Sequence, residues 1–190
     1  VNPLYTGREL QHQLKDSGAS AIVILENFAT TLEEVIAQTP VKHVVVTAMG
    51  DLLGFWYGQW ITFAVRHLAK MVPAYKLPLS DGRTVTTFRR AVAEGTGMKL
   101  QSSTASLDSV AFLQYTGGTT GVSKGATLLH RNILANVLQN DAWLQPALKK
   151  PPHVDQLFIV CALPLYHIFA LTACFLLAVR AGGVNLLIPN

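Results

Sequence analysis

The chain has 190 residues, of which 50% are hydrophobic and 14% are charged, and its formal net charge is +4. This composition excludes an intrinsically disordered chain, and so small a positive charge, with no dense stripe of Lys and Arg among aromatic residues, gives no support to nucleic-acid binding. Cys161 and Cys174 lie in apolar runs, which predicts a reducing compartment rather than a disulfide scaffold. The longest apolar run, 168–179, is shorter than the ~20 residues of a membrane span and predicts a buried helix.

The N-terminal part of the chain predicts alternating helices and strands. Thr6 and Glu9 have the spacing of a capping box, which predicts a helix that begins just after Thr6. The apolar runs AIVIL (21–25) and HVVVT (43–47) are typical of strands that are covered on both faces. Short alternating units of this kind predict a layered α/β fold, with a mostly parallel sheet and helices on both faces.

This regular pattern stops between about residue 49 and residue 107. The segment 54–78 has aromatic residues at its start and basic residues later. The segment 84–95 predicts a short helix, and 95–108 consists of small and polar residues that are typical of a linker. We predict that 49–107 is an insertion within one domain that spans 1–190, rather than a second domain.

A polar, glycine-rich stretch, YTGGTTGVSKGA (115–126), follows an apolar run that predicts a strand. Glycine lets a ligand approach the main chain, successive N–H groups form an anion-binding nest, and lysine adds a mobile positive charge. The stretch therefore predicts a loop that binds a polyphosphate. Its candidate binding residues are Thr116, Gly117, Gly118, Thr119, Thr120, Gly121 and Lys124.

Two common nucleotide-binding motifs are excluded for this loop. A P-loop ends in Gly-Lys-Ser/Thr, whereas Lys124 follows Ser123 and precedes Gly125, and the dinucleotide fingerprint G-x-G-x-x-G does not occur. The alternative to phosphate binding is a surface loop that only joins two strands.

The same stretch resembles the phosphate-binding loop of the adenylate-forming enzymes, the superfamily of acyl-CoA synthetases, firefly luciferase and peptide-synthetase adenylation domains. Gly117 stands where serine is usual in that family and Ser123 where proline is usual, while the threonine pair and Lys124 are kept. HRN (130–132) and ALPLYHIFALT (162–172) are similar to segments of bacterial long-chain fatty acyl-CoA ligases.

The resemblance implies an enzyme that joins a fatty acid to the α-phosphate of ATP, releases pyrophosphate, and transfers the acyl group to the thiol of coenzyme A. ATP, Mg²⁺ and coenzyme A are the implied cofactors and co-substrates. By the same resemblance, the loop residues named above would hold the β- and γ-phosphates of ATP, and Thr116 would also face Mg²⁺.

The resemblance also assigns roles to the PLYH segment, 164–167. His167 would orient the substrate at the catalytic centre, and Tyr166 would form part of the wall of the acyl tunnel. Without the resemblance, a histidine at the start of an apolar helix is more often a packed or capping residue. HRN is interpreted as a helix start that supports the loop.

The aromatic and basic segment within 54–78 has two interpretations. Aromatic residues beside Arg and Lys suit the surface of an anionic membrane, where a fatty acid could be collected. The alternative is a helix packed on the domain with its basic end in water. The expected location is the cytoplasm, with peripheral contact at the inner membrane face.

The chain has no initiating methionine and lacks the family's later motifs, which carry a Mg²⁺-binding Glu, the ribose contact and a C-terminal catalytic lysine. We therefore expect an N-terminal fragment without its C-terminal domain, inactive by itself. Two other functions remain open: a ligase for another carboxylic acid, and a non-catalytic module that binds nucleotide.

Overall fold

The computed structural model describes residues 1–78, 82–115, 123–150 and 155–188. The α-helices are α1 (Gly7–Asp16), α2 (Ala29–Val35), α3 (Phe55–Phe63), α4 (Phe88–Thr96), α5 (His130–Leu148) and α6 (Leu177–Ala181). The strands are β1 (Ala21–Leu25), β2 (His43–Thr47), β3 (Thr84–Thr87), β4 (Val110–Tyr115), β5 (Gly125–Leu129), β6 (Phe158–Cys161) and β7 (Val184–Leu187). These elements form two compact units, Val1–Ser102 and Ser103–Asn190.

The first unit is built on a parallel sheet in the order β1-β2-β3. Its first two strands coincide with the apolar runs at 21–25 and 43–47, so their predicted bounds are confirmed to the residue. The prediction that both faces are covered is wrong for β1, because Val23 is 63% exposed. Ile22 pairs with Val44, which in turn pairs with Val85 of β3.

The core of this unit lies between the sheet and the first two helices. Leu10 and Leu14 of α1, Leu32 of α2 and Ile36 just after it pack with Val44 of β2 in one cluster of buried side chains. Each such side chain contributes ~1.5–3 kcal/mol when it is withdrawn from water. The predicted capping box begins α1, because Glu9 N donates to Thr6 Oγ1 and Thr6 N donates to Glu9 Oε2.

The segment 84–95 differs from its predicted helical structure. Residues 84–87 form β3, and the helix begins only at Phe88, after Thr87 accepts a hydrogen bond from Arg90 N. The run TVTT consists of β-branched residues, which favour an extended backbone. The range predicted to be an insertion thus contributes the third strand of the parallel sheet.

The second unit contains two separate strand pairs. β6 and β7 are parallel, whereas β4 and β5 are antiparallel, which is a departure from a mostly parallel arrangement. The chain between β4 and β5 is too short for the crossover that parallel strands need, so these strands pair as a hairpin. α5 begins at His130, as HRN predicted, and Asn132 Oδ1 accepts a hydrogen bond from Leu129 N at that end.

The layered α/β class with helices on both sides of a parallel sheet is confirmed. A long apolar segment, predicted to be a helix over 168–179, is π-helical over Ala170–Leu176 and continues into α6. Within the described ranges, none of the helices combines the length and the apolar character that a membrane-spanning segment requires.

Candidate functional site

The predicted phosphate-binding loop joins the two strands of the β4–β5 hairpin. Thr116, Gly117, Gly118, Thr119, Thr120 and Gly121 lie outside the described residues. Lys124 is described, and it is exposed directly before the first residue of β5. Its long cationic side chain is therefore not packed in the core. From its place next to the loop it can reach an anion.

The base of the loop is closed by Tyr115 and Gly125, which pair across the hairpin. Tyr115 is buried, and a Cβ atom at position 125 would lie only 2.9 Å from its Cζ atom. Glycine is favoured at position 125 by this close approach, because any larger residue would displace the Tyr115 ring. The pair fixes the two ends of the loop against each other.

The PLYH segment forms a turn that leads into the apolar helix. His167 N donates to Pro164 O at 2.9 Å, and Phe169 N donates to His167 Nδ1 at 3.3 Å. His167 is thus a capping residue, the role that the sequence alone favours for it. Because Nδ1 accepts a hydrogen bond, the neutral ring carries its proton on Nε2, which remains available as a donor. Tyr166 and His167 are both exposed.

Gln114 of β4, which the sequence analysis did not identify as a site residue, connects this turn to the strand that precedes the loop. Gln114 Nε2 donates to the main-chain oxygen of Tyr166 at 3.2 Å. The structure therefore brings the end of β4 and the PLYH turn together. The only sequence signal was a polar residue near the end of the apolar run VAFLQ.

Two buried thiols, those of Cys161 and Cys174, pack against Leu165 of the same turn. Cys161 and Cys174 are free cysteines that pack with Ala170, and Cys161 Sγ donates to Leu163 O at 3.3 Å. Burial, and next the neighbouring Cys161, raises the pKa of the Cys174 thiol. Cys174 is accordingly held as a neutral thiol that supports the turn and is poorly suited to nucleophilic chemistry.

The first unit contains a cavity of about 380 Å³, lined by both charged and apolar side chains, that the sequence analysis missed. It lies at the carboxyl ends of β2 and β3, and two ion pairs line it. Arg66 binds Glu26 through two nitrogen atoms, with Nη2 2.6 Å from Oε2, and Arg89 Nε lies 2.9 Å from Asp51 Oδ1. A third arginine of the lining, Arg90, binds Glu94, so the positive charges around the cavity are all paired.

The aromatic residues of α3 are exposed in the first unit. They are Phe55, Trp56, Tyr57, Trp60 and Phe63, and Trp56 is the most exposed of them at 84%. Lys70 and Lys76, farther along, are exposed as well, whereas the Arg66 guanidinium is held by Glu26.

Among the described residues, no group of three or more His, Cys, Asp or Glu side chains could hold a metal ion. The predicted metal-facing residue, Thr116, lies outside the part of the chain that the structure describes.

Comparison with known proteins gives one consistent result. A sequence model of the AMP-binding enzyme family matches residues 1–190. The chain is 52% identical over 190 residues to the long-chain-fatty-acid–CoA ligase of Escherichia coli O157:H7, and 47% identical to that of Haemophilus influenzae. It is covered completely in both alignments but spans only 32% and 33% of those relatives.

A solved structure supports the fold. The adenylation domain of a carboxylic acid reductase from Segniliparus rugosus, in complex with AMP and a carboxylic acid, superposes with a TM-score of 0.67. It is 18% identical, and the match covers 100% of this chain and 28% of that one. The predicted resemblance to adenylate-forming enzymes, and to bacterial long-chain ligases in particular, is confirmed. The chain belongs to the AMP-binding enzyme family.

Proposed function

We propose that this chain is part of a long-chain-fatty-acid–CoA ligase. The complete protein would activate a fatty acid with ATP to an acyl-adenylate and pyrophosphate, and then form a thioester with coenzyme A. The observation that carries the proposal is the 52% identity to such a ligase along the whole chain. It is supported by the glycine- and threonine-rich loop at the end of β4, with Lys124 at its base.

The loop residues would bind the phosphates of ATP, and the residues of the PLYH turn would orient the fatty acid. The loop residues 116–121 and Lys124 would neutralise and hold the β- and γ-phosphates, so that the α-phosphate is presented to the carboxylate. His167 would orient that carboxylate through Nε2, because Nδ1 is engaged in the helix cap. Tyr166, exposed beside it, would line the path of the acyl chain.

Mg²⁺ would supply charge neutralisation between phosphate oxygens when it is bound. Hydroxyl and phosphate oxygens are donors that Mg²⁺ prefers, which suits Thr116 as one contributor. The acidic ligand expected from the family resemblance belongs to motifs outside these 190 residues.

The experiment that tests this function is exchange of labelled pyrophosphate into ATP, with palmitate and Mg²⁺, by the full natural polypeptide. We expect exchange that requires the fatty acid and falls at least tenfold in Lys124→Ala, since a charged hydrogen bond to phosphate contributes roughly 1.5–3 kcal/mol. Lys150→Ala is the matched control, because Lys150 is an exposed lysine that lies just after α5.

Other outcomes would favour the competing functions. Exchange only with short or aromatic acids would indicate a ligase for another carboxylate. A folded protein that binds ATP but exchanges no pyrophosphate with any acid would leave a non-catalytic nucleotide-binding module.

We also infer peripheral contact with an anionic membrane through α3. The exposed aromatic side chains of this helix and the exposed Lys70 and Lys76 beyond it support this contact. Because Arg66 is paired with Glu26, the lysines would provide most of the attraction to lipid phosphates.

Sedimentation with vesicles tests this inference. The full polypeptide should pellet with anionic vesicles at low salt and not with zwitterionic ones, and Trp56→Gln should weaken pelleting severalfold. Trp143→Gln is the matched control, because Trp143 is 86% exposed but lies on α5 in the other unit. Equal pelleting of both variants would contradict the assignment to α3.

A further inference from the structure

We propose that Gln114 is a positioning residue that sets the spacing between the end of β4, which leads into the phosphate loop, and the Tyr166–His167 turn. This inference rests on the proposed ligase function and deepens it. Gln114 is the penultimate residue of β4, so its side chain is projected from the strand that leads directly into the loop.

The orientation of the Gln114 amide is dictated by its neighbours. Nε2 lies 3.2 Å from the main-chain oxygen of Tyr166 and 3.5 Å from that of Tyr115. Both neighbours are carbonyl oxygens, which only accept hydrogen bonds, so the NH₂ group and not the oxygen of the amide must face them. A carboxylate at the same place would face two carbonyl oxygens without a proton to share.

Both ends of this hydrogen bond are anchored. On the strand side, Gln114 pairs with Ala126 of β5, and the next pair along the hairpin is Tyr115 with Gly125. On the turn side, the main chain of Tyr166 lies between Pro164 and His167, which are themselves joined by a hydrogen bond. One side-chain bond between two anchored segments can therefore fix the distance between them.

The chemistry of the proposed reaction makes that distance important. The carboxylate oxygen must meet the α-phosphorus in line, and an error of about 1 Å in such an alignment can cost about 100-fold in rate. One reactant would be held by the loop after β4 and the other near His167. Gln114 would touch neither, so its effect should appear in the rate of the chemical step and not in substrate binding.

The test compares Gln114→Glu with Gln156→Glu in the full natural polypeptide, assayed for acyl-CoA formation from palmitate. Gln156 is a matched control, because its Nε2 likewise donates to a main-chain oxygen, that of Gly182 at 3.0 Å, and neither residue belongs to β4 or to the Tyr166–His167 turn. We expect kcat to fall about 10- to 100-fold in Gln114→Glu, with KM for ATP and palmitate changed less than about threefold. The thermal midpoint should fall no more than in the control.

A second variant, Gln114→Met, removes the hydrogen-bond donor without adding a charge. It allows the same test if Gln114→Glu does not fold. It should also lower kcat with little change in KM. In Gln114→Glu, kcat relative to the control should recover as the pH is lowered, because a protonated carboxyl can again donate a hydrogen bond.

A kcat equal to that of Gln156→Glu, or an effect confined to KM, would overturn the positioning role. Inactivity of the unsubstituted protein would instead contradict the proposed ligase function.

Discussion

The phenol ring of Tyr115 covers Gly125 so closely that a Cβ atom at position 125 would lie 2.9 Å from Cζ and 3.2 Å from the phenol oxygen. Tyr115 is buried at this point, so its ring cannot swing into water without exposing apolar surface. The base of the loop after β4 is thus formed by a large side chain and a position where any side chain would displace it.

We expect Gly125→Ala to lower the free energy of unfolding by about 1–3 kcal/mol, because the ring of Tyr115 must shift in a packed environment. Gly95→Ala is the control, since Gly95 lies in α4 with open space around its Cβ position. That substitution should raise stability by about 0.5–1 kcal/mol, as alanine is the better helix former. Urea unfolding of both variants checks the prediction, and equal effects of the same sign would contradict it.

The capping box at the start of α1 predicts a pH-dependent contribution to stability. Hydrogen bonds from the main-chain N–H and then from the hydroxyl of Thr6 lower the pKa of Glu9. The stabilisation is therefore fully present above the pKa of Glu9 in the unfolded chain, and it is lost as the pH falls through the lower pKa of the folded state.

Thr6→Ala should cost about 1 kcal/mol at neutral pH and move the pKa of Glu9 upward toward its ordinary value. The main-chain hydrogen bond can persist, so the shift should be partial. A titration of the Glu9 carboxyl by NMR in both proteins measures this directly. An unchanged Glu9 pKa would show that the Thr6 hydroxyl does not stabilise the carboxylate.

The ion pair between Arg66 and Glu26 is asymmetric, because the side chain of Glu26 is 3% exposed and that of Arg66 is 48% exposed. Arg66→Met leaves a buried carboxylate without its cation, and we expect it to cost about 2–3 kcal/mol, less than for a fully buried pair because water screens the arginine. The double variant with Glu26→Gln should recover a large part of that loss.

Arg90→Met is the matched control for this pair. Arg90 binds Glu94 one helical turn away on the surface of α4, and both side chains are exposed. Its removal should leave the urea midpoint unchanged within error. A loss as large as that in Arg66→Met would indicate that burial of Glu26 is not the cause.

The buried thiols predict low chemical reactivity. Because burial raises the pKa of Cys174, its thiolate fraction at pH 8 should be small in the folded protein. Alkylation by iodoacetamide should be slower at this residue in the folded state than in urea, as measured by peptide mass analysis. Labelling of Cys174 at the unfolded rate would contradict the packing of the turn.

Several features of this protein were determined by local sequence. The bounds of the strands at 21–25 and 43–47, the start of α1 just after Thr6 and the start of α5 at His130 were predicted correctly. Apolar periodicity and capping chemistry act within a few residues, so they can be read without knowledge of the fold. The loop motif 115–126 likewise indicated the adenylate-forming superfamily, and segments 130–132 and 162–172 indicated the long-chain ligases within it.

Tertiary structure decided the features that depend on partners distant in sequence. Residues 84–87 form a strand because β2 offers a parallel edge there, and Glu26 is tolerated in the interior because Arg66 reaches it from 40 residues away. The proposed role of Gln114 depends on its hydrogen bond to the carbonyl oxygen of Tyr166, which is 52 residues away in sequence. Sequence patterns report short-range preferences, whereas pairing of distant polar groups depends on how the folded chain brings them within hydrogen-bond distance.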